Sequence, residues 1–508
     1  MRIALAMKTA AIAVMASLAI SACTAGNGHD SGNKDKEDTL HLALNTPPTS
    51  FAIGEWAGGE QYLATAVYDT IVTLAPTVDK FQPGIAEAWE YNTDRTRLTL
   101  NIRKGMTFTD GAPVDAAAVV ASLEAARKGP ASSQSLASVS AVEATDESTV
   151  LVELSRPDGA LLYNLSTSVG SVGSPKVLTA ESSKLEPVGS GPYVLDKEAT
   201  KVGDIYVLVR NEDHWNAEAY PFERVEAKLL QDSAAARNAF RAGQVDVYGE
   251  KKEALKQYAA SQFNQGEAPP GNMAALWLVD REGKVVPALA DQRVRLAINM
   301  AFDRESIAKN LVETGDGATN QVFSPISETF DKELLDKTPY DVKRARELMA
   351  EAGYADGFNV TMPSNFATTT YEPIVSQALS EIGITVNWEP VPFQDFFAKV
   401  FGGSYGMFFM FSPISGIDAK DADAALNGAF NPFQSTTPKL QELIAAANAA
   451  PEDKQTEAYR AINEYFVDQA WFAPLSSPSG FWVSSKDLKT VPLQGVPSIN
   501  LLGYEPAG

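Results

Sequence analysis

Cysteine occurs once in 508 residues and histidine three times. A single thiol closes no intrachain disulfide and completes no cysteine-rich zinc site. The histidines, His29, His41 and His214, share no i,i+4 or hairpin spacing, so no paired imidazoles are offered to a metal. Neither a metal nor a cofactor is expected. Positive charge is also scarce: 42 Lys+Arg stand against 64 Asp+Glu, a net charge of −22. That is the wrong sign for neutralising a phosphate backbone, and nucleic acid is not expected as a partner. What is present is 45% hydrophobic residues in a chain long enough for two or three domains, and a packed core follows.

The apolar run at the N-terminus has a processing pattern. Met1, Arg2 and Lys8 precede a largely apolar stretch, Thr9 to Ile20, then the small residues Ser21 and Ala22, then Cys23. This is the three-part plan of a secretory signal, and the stretch is shorter than the roughly 20 apolar residues a spanning helix needs. Ile20-Ser21-Ala22-Cys23 resembles the lipobox of bacterial lipoproteins, in which the cysteine is acylated and becomes the first mature residue. The resemblance implies a signal peptide at 1–22, a lipid anchor on Cys23, and an extracytoplasmic protein held at the bacterial cell membrane. Residues 24–39, rich in Gly, Asn, Asp and Lys without an apolar period, complete a solvated linker over 23–39.

From Leu40 the patterning becomes that of folded protein. The runs "LHLAL" (40–44), "STVLVEL" (148–154), "DIYVLVR" (204–210) and "RVEAKLL" (224–230) have the length and alternation of strands. Residues 115–128 predict a helix capped by Asp115, with Val119, Val120 and Leu123 on one face. Residues 341–353 predict another, capped by Asp341, ended by Gly353, with Ala345, Leu348 and Met349 inward. Strands and helices without a regular βα alternation place the fold in the mixed α/β (α+β) class. A Pro/Gly-rich break, "QFNQGEAPPGN" at 262–272, is expected near a domain crossing.

Motifs for catalysis are poor. Gly402-Gly403-Ser404-Tyr405-Gly406 matches G-x-S-x-G, but a helix is expected before it and a strand after it, the reverse of a nucleophile elbow. Every histidine also precedes Ser404, whereas that fold needs one later in the chain. Asp418, Asp421 and Asp423 lack calcium-loop spacing and are expected to form a solvated helix start. Gly189-Ser190-Gly191-Pro192-Tyr193 lacks the Gly-Lys-[Ser/Thr] of a phosphate loop.

Several blocks, in order, resemble the peptide/nickel-binding family of extracytoplasmic solute-binding proteins, which includes oligopeptide- and dipeptide-binding members and serves ABC importers. They are "VYDTIVTLAP" (67–76), "PGIAEAWEYNTDRTRLTLNIRKGMTFTDGAPVDAAAVVASLEAA" (83–126), "GSGPYVL" (189–195), "LVRNEDHW" (208–215), "FRAGQVDV" (240–247), "VRLAINMAFDRESI" (294–307), "ARELMAEAGY" (345–354) and "LSEIGITVNWEPV" (379–391). The resemblance implies a two-lobed periplasmic-binding-protein-like fold with a hinged ligand cleft. Lobe I would comprise 40–82, 185–272 and 476–508, a small inserted domain 83–184, and lobe II 273–475. It further implies a monomer without enzymatic activity that delivers an oligopeptide or dipeptide-like solute to permease subunits. A non-peptide solute (oligosaccharide, metal chelate or other small organic molecule) is the alternative within that role, and a secreted hydrolase using acidic residues the alternative outside it.

The same resemblance implies that the cleft is lined from "NTPPTSFAIGEW" (45–56), "ALWLVD" (275–280) and "MFFMFSPISG" (407–416), which nominates Ser50, Trp56, Trp277, Phe411 and Ser412 as ligand contacts. One departure stands out. The aspartate with which peptide binders of the family pair a free amino terminus would fall near Ile414, and no carboxylate is there. A buried ammonium without a partner is costly, so this position disfavours a ligand with a free α-amine.

Overall fold

Strands that alternate apolar and polar residues bury every second side chain when one face meets a core. In the computed structural model Leu40, Leu42 and Leu44 of the strand Thr39–Leu44 do so. The structure describes residues 38–507 apart from 49, 57–60, 75–80, 311–316, 367, 428–429 and 491–500. Cys23, the expected signal segment and most of the expected linker lie outside the described residues.

Thr39–Leu44 runs parallel to Arg224–Leu229, which continues antiparallel to Ile205–Arg210 and then Tyr193–Leu195. One sheet is thus built from chain segments far apart in sequence, and the chain between them makes a separate small unit. Its antiparallel sheet has the order Ala86–Tyr91, Arg97–Ile102, Thr149–Leu154, Val139–Asp146. The helix Ala116–Lys128 buries Ala116, Val119 and Leu123 in the core of this unit, and the Asp115 carboxylate caps it by accepting the Ala118 N–H at 2.9 Å.

The later unit centres on the strand Asn272–Leu278, flanked antiparallel by Met407–Pro413 and Ala473–Ser476. The helix Val342–Glu351 adds Ala345, Leu348 and Met349 to its core, is capped by Asp341 on the Arg344 N–H at 2.9 Å, and gives way to Gly353 at φ 86°. Three buried arginines tie this unit together through carbonyls. Arg304, for example, donates to the Pro474, Asn299 and Thr338 carbonyls.

Two strand pairs join a further sheet, Val247–Gly249, Gly480–Ser485 and Phe263–Ala268, to the sheet of the later unit. Phe263–Ala268 pairs with Gly480–Ser485, and Asn272–Leu278 pairs with Ala473–Ser476, so the same two stretches of chain run side by side through both sheets. The links between them, 269–271 and 477–479, contain Pro269, Pro270 and Pro478, whose nitrogens have no hydrogen for a ladder. The segment 262–272, expected near a domain crossing, is strand over 263–268 and leaves the ladder only at its end. Its pairing partner lies some two hundred residues on, beyond the reach of any local pattern.

Candidate functional site

The small unit meets the later unit along a seam holding two chambers. The first, about 750 Å³, lies between Gln134–Asn164 of the small unit and Phe401–Ile462 of the later one. The second, about 1190 Å³, lies between Phe81–Arg95 and a wall that includes Glu328, Asp418 and Glu452. Ala419 and Tyr459 line both.

A clasp separates the chambers, centred on Asn448 near the end of the helix Pro438–Ala449. Its backbone carbonyl accepts Arg95 Nε–H at 3.2 Å, and its Oδ1 accepts both the Gly159 N–H at 3.3 Å and the Tyr459 hydroxyl at 3.1 Å. Gly159 is held so close that a Cβ there would stand 2.2 Å from the Tyr459 hydroxyl oxygen, so the approach requires glycine. The Lys420 ammonium sits 5.8 Å over the Tyr163 ring beside it, a further link between the two units.

The first chamber has one acid on each wall, Asp158 and Asp423, with Arg156. Asp158 accepts the Ser138 hydroxyl at 2.6 Å and the Ala160 N–H at 2.9 Å, while Asp423 accepts the Asn427 amide at 2.6 Å. Behind the far wall is a buried scaffold. Arg281 donates to Asn431 Oδ1 at 3.2 Å, and the Asn431 amide donates to the Leu426 and Ser435 carbonyls at 2.9 and 3.0 Å. Arg281 also lies over the Trp471 and Phe472 rings, and burial together with the neighbouring Arg295 holds its pKa well below the ordinary arginine value. This bracing holds Gln434 in the left-handed region at φ 53°, a cost that scaffolded positions can sustain. The Ser435 hydroxyl on the same wall is buried without a hydrogen-bond partner.

The second chamber is aromatic on one side, Phe81, Trp89 and Tyr91, and acidic on the other. Asp418 accepts the Ser327 hydroxyl and, at 2.5 Å, the Thr329 hydroxyl; burial pushes its pKa up. Asp421, one turn on, points inward instead. Its carboxylate accepts the Ser415 N–H at 2.7 Å, the Ser415 hydroxyl at 2.8 Å and the Gly416 N–H at 3.2 Å, and burial pushes its pKa up to about 7. The expected solvated helix start is corrected here: the helix Asp418–Leu426 does begin at these acids, but Asp418 and Asp421 are spent on fixing the loops that line the seam.

The nominated contacts fall into two groups, and none of them lines either chamber. Ser50 is buried, accepting the Ala52 N–H at 3.0 Å and donating to Glu55 at 3.3 Å. Trp56 stands edge-on to Phe51 with ring centroids 5.4 Å apart, its indole N–H buried and unpartnered. Phe411 is half-buried against Tyr371 and Phe409, and the buried Ser412 pairs in register with Met273. Trp277 departs from its expectation as a cleft wall. It is 1% exposed, stacked on Phe430 at 3.9 Å between centroids, with its N–H donated to the Met410 carbonyl at 3.2 Å. The strand Asn272–Leu278 is covered on both faces, so even its alternate side chains are core.

Missed from the sequence were Asn448, Gly159 and Tyr459. Asn448 left one faint signal, as the lone amide in the alanine run "IAAANAA". Ser404 lies where the patterning put it, between the helix Phe393–Phe401 and the strand Met407–Pro413, its N–H donated to the Lys399 carbonyl at 3.1 Å. That is a helix terminus and not a nucleophile elbow. His41 and His214 are engaged with Asp246 and Asp69 at 3.0 Å. The His214 ring accepts the Asn216 N–H on Nδ1, leaving Nε2 to donate to Asp69.

Comparison with known proteins supplies the rest. The chain is 24% identical over 495 residues to "Probable di/tripeptide-binding protein 5" of Pseudomonas aeruginosa, covering 89% of this chain and 92% of that protein. Its fold matches the periplasmic binding protein DppA from Helicobacter pylori, solved in complex with the peptide STSA, with a TM-score of 0.76, 20% identity, and 94% and 100% of the two chains covered. It also matches NikA from Brucella suis, solved with Fe(III)-EDTA, with a TM-score of 0.76, 20% identity, and 92% and 99% covered. These neighbours share the two-lobed periplasmic binding protein fold, as the resemblance implied. Residues 80–437, most of the chain and both walls of the seam up to the acidic helix and its following loop, match one family throughout. The chain belongs to the bacterial extracellular solute-binding proteins, family 5.

Proposed function

We propose that this chain is the solute receptor of an ABC importer, closing its two lobes over an oligopeptide or dipeptide-like solute and presenting it to the permease. The observation that carries this reading is the pair of proline-containing links, 269–271 and 477–479, beside a seam that holds two cavities. Lobe I would be 40–82, 185–272 and 476–508, lobe II 273–475, and the inserted domain 83–184. Bending at the two links would open the seam and break the Asn448 clasp without disturbing either core. Ser50, Trp56, Phe411 and Ser412 are the proposed contacts outside the chambers; Trp277, nominated with them, is core. The unpartnered Trp56 N–H is a donor awaiting an acceptor.

A non-peptide solute, or a peptide without a free α-amine, is favoured by one observation. No carboxylate stands at Ile414, and the next acids along the chain, Asp418 and Asp421, are committed to Ser327, Thr329, Ser415 and Gly416. Thermal melting against free and N-acetylated peptides, oligosaccharides and metal chelates tests both readings. A ligand of the native state at 100-fold excess over its Kd adds about 2.7 kcal/mol. No shift with any of them, together with measurable hydrolysis of a peptide or glycoside, overturns the receptor role. Anchoring through Cys23 is tested separately. Cys23→Ser releases the protein from membranes and leaves solute affinity unchanged; retention on membranes refutes the anchor.

A further inference from the structure

The helix Phe393–Phe401 buries Phe396 and Val400 and turns Phe393, Phe397 and Phe401 outward. Spacing of four residues stacks these three on one face. Their exposures are 43%, 36% and 52%, and Phe366, from the turn after the strand Phe358–Ser364, is 76% exposed. The rings meet in series: Phe366 to Phe393 at 5.0 Å between centroids, Phe393 to Phe397 at 5.9 Å, and Phe397 to Phe401 at 6.2 Å. No other phenylalanine among the described residues is exposed to this degree. A contiguous aromatic surface of this kind is rare on a soluble protein unless something covers it.

The ladder is not isolated. Its last rung, Phe401, is also a wall of the first chamber, where Leu426, Ile444 and Ile462 continue the apolar lining inward. We infer that the ladder is an outer arm of the solute site, taking an aliphatic or aromatic chain that a solute seated in the first chamber extends past Phe401. This rests on the reading that the seam holds the solute. Charge argues for a small neutral occupant. Two copies of a chain with net charge −22 repel one another, and so does an anionic membrane. Lys399, the cation on the ladder's own helix, is closed on Glu389 at 2.6 Å and has no need of an acidic headgroup.

The test uses the full chain, its Phe393→Ala/Phe397→Ala double variant, and Phe397→Tyr. Alanine favours the helix and the rings removed are exposed, so the double variant folds, as circular dichroism would verify. The neutral dye N-phenyl-1-naphthylamine should bind saturably at one site, about tenfold or more weaker in the double variant, with Phe397→Tyr close to the parent. The peptide N-acetyl-Ser-Asn-Ser-Asn and its N-decanoyl counterpart, both without a free α-amine, are then compared by melting. The decanoyl form should bind the parent about tenfold or more tightly than the acetyl form, and that gain should vanish in the double variant while the acetyl form is unaffected. The inference falls if the decanoyl chain brings no gain, or if the gain survives loss of the ladder. It falls equally if the substitutions change only sedimentation, which makes a second copy the occupant, or only binding to phosphatidylcholine vesicles, which makes it a membrane. If neither peptide binds, the peptide reading fails on its own; dye binding lost with the ladder then upholds the arm, and absence of saturable dye binding overturns it.

Discussion

The two chambers of the seam share Ala419 and Tyr459 yet differ in chemistry. The first sets single acids and amides over an apolar floor that leads out to the phenylalanine ladder. The second faces aromatic rings of the small unit with Glu328, Asp418 and Glu452. Between them stands the Asn448 clasp, two of whose bonds join residues some three hundred positions apart. On the proposed reading, one closing movement would assemble two environments at once, and the clasp would decide whether a solute meets one or both.

The largest way to disturb this comparison is at the rim of the second chamber. The Asp421 carboxyl titrates at about 7 in the folded chain against 3.8 in an unperturbed one. The folded state thus keeps a proton that the unfolded state releases, and its contribution to stability is fullest below about pH 4 and declines as pH rises towards 7. The decline is on the order of 4 kcal/mol over that window. Asp421→Asn cannot ionise and should lack it, so urea unfolding of the two proteins at pH 5 and pH 8 should diverge; parallel pH profiles refute the assignment. Asp421→Ala, which leaves the Ser415 and Gly416 N–H groups unpaired, should cost about 2–4 kcal/mol at pH 5 and less at pH 8, where the parent has already lost the contribution of the protonated carboxyl.

The clasp is next. Gly159→Ala forces a Cβ against the Tyr459 hydroxyl, and overpacking of this kind costs about 1–3 kcal/mol. The cost should fall on closure and not on folding. Small-angle scattering should report a more open particle and solute affinity should drop about tenfold, with urea stability of the open state unchanged. Equal loss of stability and affinity would mean that Gly159 is merely structural. Asn448→Ala, losing the bonds to Gly159 and Tyr459 but keeping the carbonyl for Arg95, should weaken solute binding by about 1–2 kcal/mol through the same opening. Arg95→Ala is the mildest. Its bond to the Asn448 carbonyl is only partly shielded from water, and a loss of about 0.5–1 kcal/mol in affinity is expected. A larger effect would mean that the Arg95 guanidinium, which stacks 4.1 Å over Tyr91, also touches the solute in the second chamber.

Much of the fold was legible because it obeys local rules. Asp115 and Asp341 cap the helices assigned to them, Gly353 ends the second, and "LHLAL" buries its alternate leucines. Other features were misread because their causes are not local. Trp277 looked like a cleft wall and is core, since nothing along the strand shows that its second face will also be covered. Asp421 looked solvated, since the loop whose N–H groups it accepts reaches it only when the chain turns back at Gly416. The clasp was invisible for the same reason: Gly159, Asn448 and Tyr459 are unremarkable until two units bring them together.

By itself the sequence determined the acidic balance, the scarcity of histidine and cysteine, the capped helices and alternating strands, and the ordered blocks of its family. These depend on composition, or on neighbours within a few residues, where spacing alone sets which groups can meet. The tertiary structure decided which aspartates are spent on loops, which tryptophan is core, where the two proline-containing links lie, and that a seam with two chambers runs beside a ladder of phenylalanines. Those outcomes depend on how the folded chain is covered and on contacts that reach from five or six residues at Asp421 to some three hundred at the clasp, and burial, the term that sets both the ionisation of Asp421 and the exposure of Phe401, exists only once the chain has packed.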